Sequence, residues 1–355
     1  MKKINYKHLL FILITSILVF CATQDLLAYE GFMKKGDIQC STRGAVVRKI
    51  QKNIVYTKCI QPKVGITLKN TSKKSKKISL VCKNISPKLY GASVDKSEIQ
   101  RTGINFVVFN INLKALSTRT ITIAPLQKNL KRYTFAVLGD SRHRTKIHRK
   151  ILKQIARSKA LFAINLGDIM NHGTHKEYMY FLNEISDFPL PYYIVPGNHE
   201  IVARGGFERF LKYVSPVDYS FELGNYNFVL LDSARASIKD SQFTWLENDL
   251  KGHKNNFVFH HVPPFSPHPA KKRHVLASKK QAGRLIRIME KCNVRAMFAG
   301  HIHAFLRTKR NGIDYIIAGC AGAYPVVPPD EGGYPHYVLV DVDGDNYNIR
   351  VYRVK

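Results

Sequence analysis

The sequence predicts an α/β domain over residues 132–355, preceded by a small β-sandwich over 31–131 and a leader over 1–28. Three observations predict this. After residue 132, strand-like runs alternate with helix-spaced segments through Gly-containing turns, as βαβ units do. Between 31 and 131, short strand-like runs recur between turn residues, with no helical period of comparable length. The chain has 355 residues, 45% of them hydrophobic, and a mean hydropathy of −0.19. That is enough for one large soluble domain or two ordinary ones.

The leader has a basic start (1–8), then an apolar run (9–20) interrupted only by Thr15 and Ser16, then Ala28 as a cleavage candidate. A spanning helix needs ~20 apolar residues, so the run reads as an export signal, with an uncleaved N-terminal anchor as the alternative. The expected location is extracytoplasmic: periplasmic, cell-surface or secreted. Phe20 is too large for the small residue that precedes a lipidated Cys, which argues against lipidation at Cys21. The six cysteines (21, 40, 59, 82, 292 and 320) include no CxxC pair, so a zinc ribbon is not expected. Export would permit a disulfide among Cys40, Cys59 and Cys82. Cys292 and Cys320 lie beside apolar segments and read as buried thiols.

The sandwich carries much of an unusual charge. Lys and Arg number 56 against 25 Asp and Glu, a net +31. Residues 31–131 hold 21 basic and 3 acidic residues, 21 − 3 = +18 of it. Such a field attracts polyanions, and an anionic cell-surface polymer is the expected partner of this region. The alternative is a lysine-rich surface that serves solubility. No specific protein partner is expected. Strand-like runs fall at 45–47, 54–56, 64–68, 78–81, 104–110 and 118–123. The lysine run 73–77 lies between two of them and reads as a hairpin loop.

In the second domain the expected strands are 133–138, 161–166, 191–195, 219–223, 228–231, 257–259, 294–298, 315–317, 337–342 and 347–352. Helical spacing falls at 146–158, 175–185, 241–250 and 279–291. The turn Asp343-Gly344-Asp345 joins the last two strands as a hairpin.

Asp140, Asp168, Asn198-His199, His261 and His301/His303 each follow the C-terminal end of an expected strand. In an open α/β sheet that edge binds ligands. Carboxylate, amide oxygen and imidazole suit Mn, Fe, Zn or Mg. A single Gly-Asp or Gly-His is an ordinary turn; five in order are not.

The elements Gly139-Asp140, Gly167-Asp168, Gly197-Asn198-His199-Glu200, His261-Val262-Pro263 and Gly300-His301-Ile302-His303 resemble the calcineurin-like metallophosphoesterase family, including its purple acid phosphatase branch. The resemblance implies a four-layer fold, two β-sheets flanked by helices. It implies two divalent metal ions, with Asp168 bridging both. Asp140 and His303 would bind the first ion, and Asn198, His261 and His301 the second. His199 resembles the family's catalytic His, which contacts the phosphoryl group or protonates the leaving oxygen. The His-x-Pro pattern selects His261 over His260.

Two departures stand out. The family's first motif often continues Asp-x-His, and this chain has Arg142 there. Arg is a permanent cation without an acceptor, so the first site lacks a ligand. His143 in a shifted turn is one substitute. Arg142 itself is either a phosphate-gripping group or a surface charge. The purple acid phosphatases carry a metal-binding Tyr where this chain has Asn171, which argues against a purple Fe(III) site.

The expected reaction is hydrolysis of a phosphate ester by a metal-bound hydroxide, most simply on a phosphorylated small-molecule monoester. The alternatives are a phosphodiesterase or nuclease acting on a polyanionic substrate, and a non-catalytic polyanion-binding surface protein with a degenerate metal site. The basic loop Lys271-Lys272-Arg273-His274 is a candidate for steering anions.

Overall fold

The computed structural model describes residues 30–355 except Lys128, His143, Arg144 and Lys272. The leader with Cys21 lies outside the described residues. So do His143, the substitute ligand, and Lys272 of the basic loop.

Ten strands build the first unit: β1 (Glu30–Lys35), β2 (Ile38–Arg43), β3 (Ala45–Gln51), β4 (Ile54–Cys59), β5 (Val64–Asn70), β6 (Lys76–Lys83), β7 (Tyr90–Ala92), β8 (Ile99–Thr102), β9 (Phe106–Leu113) and β10 (Thr118–Pro125). They form two five-stranded sheets, in the orders β1-β2-β5-β10-β7 and β3-β4-β6-β9-β8. Alternation drives the packing. In β6, Ile78, Leu80 and Cys82 are buried while Lys77 and Lys83 face water. The inward residues of both sheets share one core. Two expectations are corrected here. The lysine run at 73–77 is no hairpin loop, because β5 and β6 belong to different sheets and Lys76-Lys77 already lie in β6. Cys40, Cys59 and Cys82 form no disulfide with one another. Each is a separate thiol filling the core, and burial pushes Cys40 and Cys82 up to about 12. Cys292 and Cys320 are buried as expected.

The second unit is layered. One sheet orders as β13 (Tyr192–Ile194), β12 (Ala160–Asn165), β11 (Arg132–Leu138), β20 (His336–Asp343) and β21 (Asn346–Arg353). The other orders as β14 (Tyr219–Leu223), β15 (Tyr226–Leu230), β16 (Asn256–His260), β17 (Val294–Ala299), β19 (Ile313–Ala318) and β18 (Phe305–Arg310). Their facing sides meet in an aromatic core. Phe135 stacks on Phe162 at 5.6 Å between centroids, and Phe259 on Phe298 at 5.0 Å. On the outer face of the first sheet pack helices α1 (Thr145–Ala156), α2 (His175–Glu184) and α3 (Gly206–Tyr213). On the outer face of the second pack α4 (Asp240–Lys251) and α5 (Lys279–Lys291). This is the helix–sheet–sheet–helix arrangement expected. Helix α3 and strand β18 were not anticipated.

The two units are joined by polar contacts. Arg48 donates to the carbonyls of Leu211 and Val214, and Lys58 to that of Val214. The Arg48 guanidinium and the Lys58 amine thus cap the C-terminal end of α3, where the helix dipole favours positive charge, while burial and then the neighbouring Arg48 lower Lys58 to about 7. The Asn84 side chain pairs with the backbone of Tyr192, accepting its N–H at 2.8 Å and donating to its carbonyl at 3.2 Å.

Candidate metal centre

The parallel strands β11, β12 and β13 end side by side in one sheet, and β16 and β17 in the other. Each predicted ligand stands within a few residues of one of these ends. Asp140, Asp168 and His301 all adopt left-handed backbone (φ 59°, 53° and 68°). Non-glycine residues rarely do so, and such strain collects at functional sites. Neighbouring glycines make the crowding sterically tolerable. A Cβ on Gly197 would stand 2.3 Å from Asp168 Oδ1, and one on Gly300 would stand 2.4 Å from Asp140 Oδ2.

Two donor groups result. Asp168, His261 and His301 offer ligand atoms within 4.8 Å of one another, and so do Asp140, Asp168 and His303. Asp168 belongs to both. Asn198 Oδ1 lies 3.0 Å from His261 Nε2, beside the first group. His261, not His260, comes to Asp168. The His260 ring turns away and bonds the Val262 carbonyl through Nδ1.

Backbone carbonyls orient the imidazoles. His261 Nδ1 lies 2.8 Å from the Leu166 carbonyl, and His303 Nδ1 lies 2.9 Å from that of Tyr324. An Nδ1–H donated there aims each Nε2 at the acids, the atom that metal-binding imidazoles offer. His199 repeats it, with Nδ1 against the Asn171 carbonyl and Nε2 3.7 Å from Asp168 Oδ2.

The electrostatics call for positive charge at the centre. Burial would raise the Asp168 carboxyl, yet the imidazoles of His261 and His199 and the His199 N–H hold it well below the usual carboxylate range. Burial would lower His261, yet Asp168 draws it up to about 10. Burial, then the neighbouring His261, pushes His301 down to about 3, leaving it neutral. Two buried carboxylates with oxygen and nitrogen donors, and no thiolate in either donor group, fit a pair of divalent cations.

Arg142 occupies the place of the missing ligand. Its guanidinium lies 3.8 Å from Asp168 Oδ2, and its Nε donates to Asn171 Oδ1 at 3.1 Å. The Asp140–Asp168–His303 group therefore has three candidate protein ligands among the described residues. Of the loop histidines, the His274 ring lies 5.8 Å from that of His301, at the rim of the site. His172 is exposed and sits by Glu177.

Sequence reading missed the scaffold behind the ligands. The Glu200 carboxylate, fully buried, accepts the N–H groups of Gly197, Asp168 and Ile169 at 2.6, 2.9 and 2.9 Å. Ser233 Oγ accepts those of His261 and Val262. Asn165 accepts the Gly167 N–H and donates to Tyr192 Oη, which meets the buried His148. Only the place of Glu200 three residues after Gly197 could have signalled its role.

Comparison with known proteins agrees with this geometry. Residues 133–305 match the family model described as calcineurin-like phosphoesterase. A 3′,5′-cyclic-nucleotide phosphodiesterase of Nostoc sp. is 28% identical over 159 residues, 42% of this chain and 58% of that protein. A probable glycerophosphodiester phosphodiesterase of Arcobacter nitrofigilis is 28% identical over 167 residues, 43% of this chain and 60% of that protein. The chain thus spans less than two thirds of these relatives' lengths. Among solved structures, a purple acid phosphatase from yellow lupin (Lupinus luteus) superimposes with a TM-score of 0.56 at 12% identity, covering 82% of this chain and 70% of its own. GAP50 of Plasmodium does so with a TM-score of 0.51 at 14% identity, covering 62% and 84%. These two likenesses are of fold. The motifs, the shared Asp168 and the family match converge: the domain at residues 133–305 belongs to the calcineurin-like phosphoesterase family.

Proposed function

We propose that this protein is an exported, two-metal hydrolase of phosphate esters. The observation that carries the reading is the sharing of Asp168 by two buried donor groups. When bound, two divalent cations supply Lewis-acid chemistry, polarising phosphoryl oxygens and acidifying water for in-line attack.

The chain's own groups do the rest. Asp140 and Asp168 supply the negative charge that holds the cations, and neutral Asn198 limits it where an anionic substrate docks. His199, fixed through Nδ1–H by the Asn171 carbonyl, presents Nε2 to the site; in its imidazolium form it can give the Nε2 proton to the leaving oxygen and return to the neutral ring. Arg142, a quarter exposed, can donate to a phosphoryl oxygen. Export rests on the sequence pattern of residues 1–28.

For the ester class, the names of the two relatives support a small phosphodiester as substrate. The monoester remains a second reading, because Arg142 adds a fixed cation suited to a dianionic phosphoryl group. Turnover of bis(4-nitrophenyl) phosphate against 4-nitrophenyl phosphate, with Mn added, decides between them. Hydrolysis of neither would count against the enzyme reading.

A further inference from the structure

The sandwich ends, at the far end of its strands from the second unit, in a basic tip. β6 runs from Lys76 at this tip to Lys83, beside Asn84, which contacts the second unit. An eight-residue strand separates the two ends by roughly 25 Å. Three turns meet at the tip, and Asn70, fully buried, ties two of them together. It donates to the carbonyls of Lys74 and Lys114 at 2.8 and 3.0 Å and accepts the Ser72 N–H. The third turn is tied in where Thr71 N–H donates to the Asp37 carbonyl.

These turns and the strands entering them expose Lys34, Lys35, Lys73, Lys74, Lys77 and Lys114. Asp37 is already paired with Lys76 at 3.2 Å, and Glu98 with Arg119. The tip also carries an apolar group. Leu116 is 68% exposed and held at φ 51°, a conformation a Leu rarely adopts and an Asn accepts readily. Phe32 is also 68% exposed, three residues back from the turn on the edge strand that carries Lys34. Solubility would account for the lysines but not for a strained, protruding leucine among them.

We propose that this tip docks the protein on an anionic lipid bilayer, with the lysines on headgroup phosphates and Leu116 in the interface. Basic residues near an anionic membrane add attraction that salt screens, and apolar side chains add burial that salt does not. An anionic polymer in solution would use the lysines alone. The proposal is independent of any chemistry at Asp168.

The test is partition of the full chain onto vesicles of phosphatidylcholine with 30% phosphatidylglycerol, against phosphatidylcholine alone. The expected result is at least tenfold tighter binding to the anionic vesicles. Lys73→Gln with Lys74→Gln should cost ~20-fold. Leu116→Asn should cost several-fold while leaving the melting temperature unchanged or higher, since Asn suits that backbone. Equal binding to both vesicles would overturn the proposal, since residues 1–29 alone would explain it. Binding to polyphosphate and anionic vesicles with equal indifference to Leu116→Asn would overturn it in favour of a soluble polymer.

Discussion

Glu200 accepts the backbone N–H of Asp168 at 2.9 Å. One buried acid thus fixes, from behind, the carboxylate shared by both donor groups. The same Glu200 carboxylate holds Gly197 and Ile169, so it locks the second ligand loop to the third. Glu200→Gln turns an amide N–H₂ toward these donors and leaves a buried pair unsatisfied. The expected cost is about 1–3 kcal/mol of stability, with weaker metal binding. Denaturant titration and apo-protein titration with Mn measure the two effects.

His199→Ala should lower kcat by ~100-fold or more while metal content stays unchanged, because His199 lies beside the donor groups and not in them. Turnover and elemental analysis on the same preparation separate the two. A parallel loss of metal would make His199 a ligand instead.

Arg142→His restores the residue type that the Asp140–Asp168–His303 group lacks. It should tighten binding of the weaker cation and raise KM, as a phosphate-gripping guanidinium is lost. Arg142→Ala should raise KM without tightening the metal. Calorimetric Mn titration and steady-state kinetics check both.

A pH effect is expected away from the site. Burial raises the Asp218 carboxyl to about 6, against the N–H of Asp232 and the Gln242 amide that favour its ionised form. The folded chain therefore holds a proton that the unfolded chain, near 3.8, releases earlier. The contribution is present below about pH 4 and lost as pH rises through about 6. Asp218→Asn should flatten this part of the urea-midpoint profile relative to the parent protein. An unchanged slope would place the titration elsewhere.

The candidate ligands were legible because each is a polar residue following an apolar run, and the resemblance to the family's motifs grouped them. Most helices were legible from their spacing, and α5 (Lys279–Lys291) falls where expected. What escaped was relational. Period-2 patterning gives which residues face inward, but not which sheet a strand joins, so residues 73–77 read as a hairpin. Helix α3 has only eight residues, too few for a helical period to stand out. The Glu200 and Ser233 contacts depend on chain segments that meet only after folding. Sequence also could not show that Cys40, Cys59 and Cys82 point into one core without joining.

The central claim is that Asp168 serves two cations at once. Elemental analysis of protein loaded with Mn or Zn and desalted tests it most directly, with Asp168→Asn alongside. The account predicts about two metals per chain, and loss of both in the variant. Protein that stays metal-free, or a variant that keeps one metal at full affinity, would contradict it.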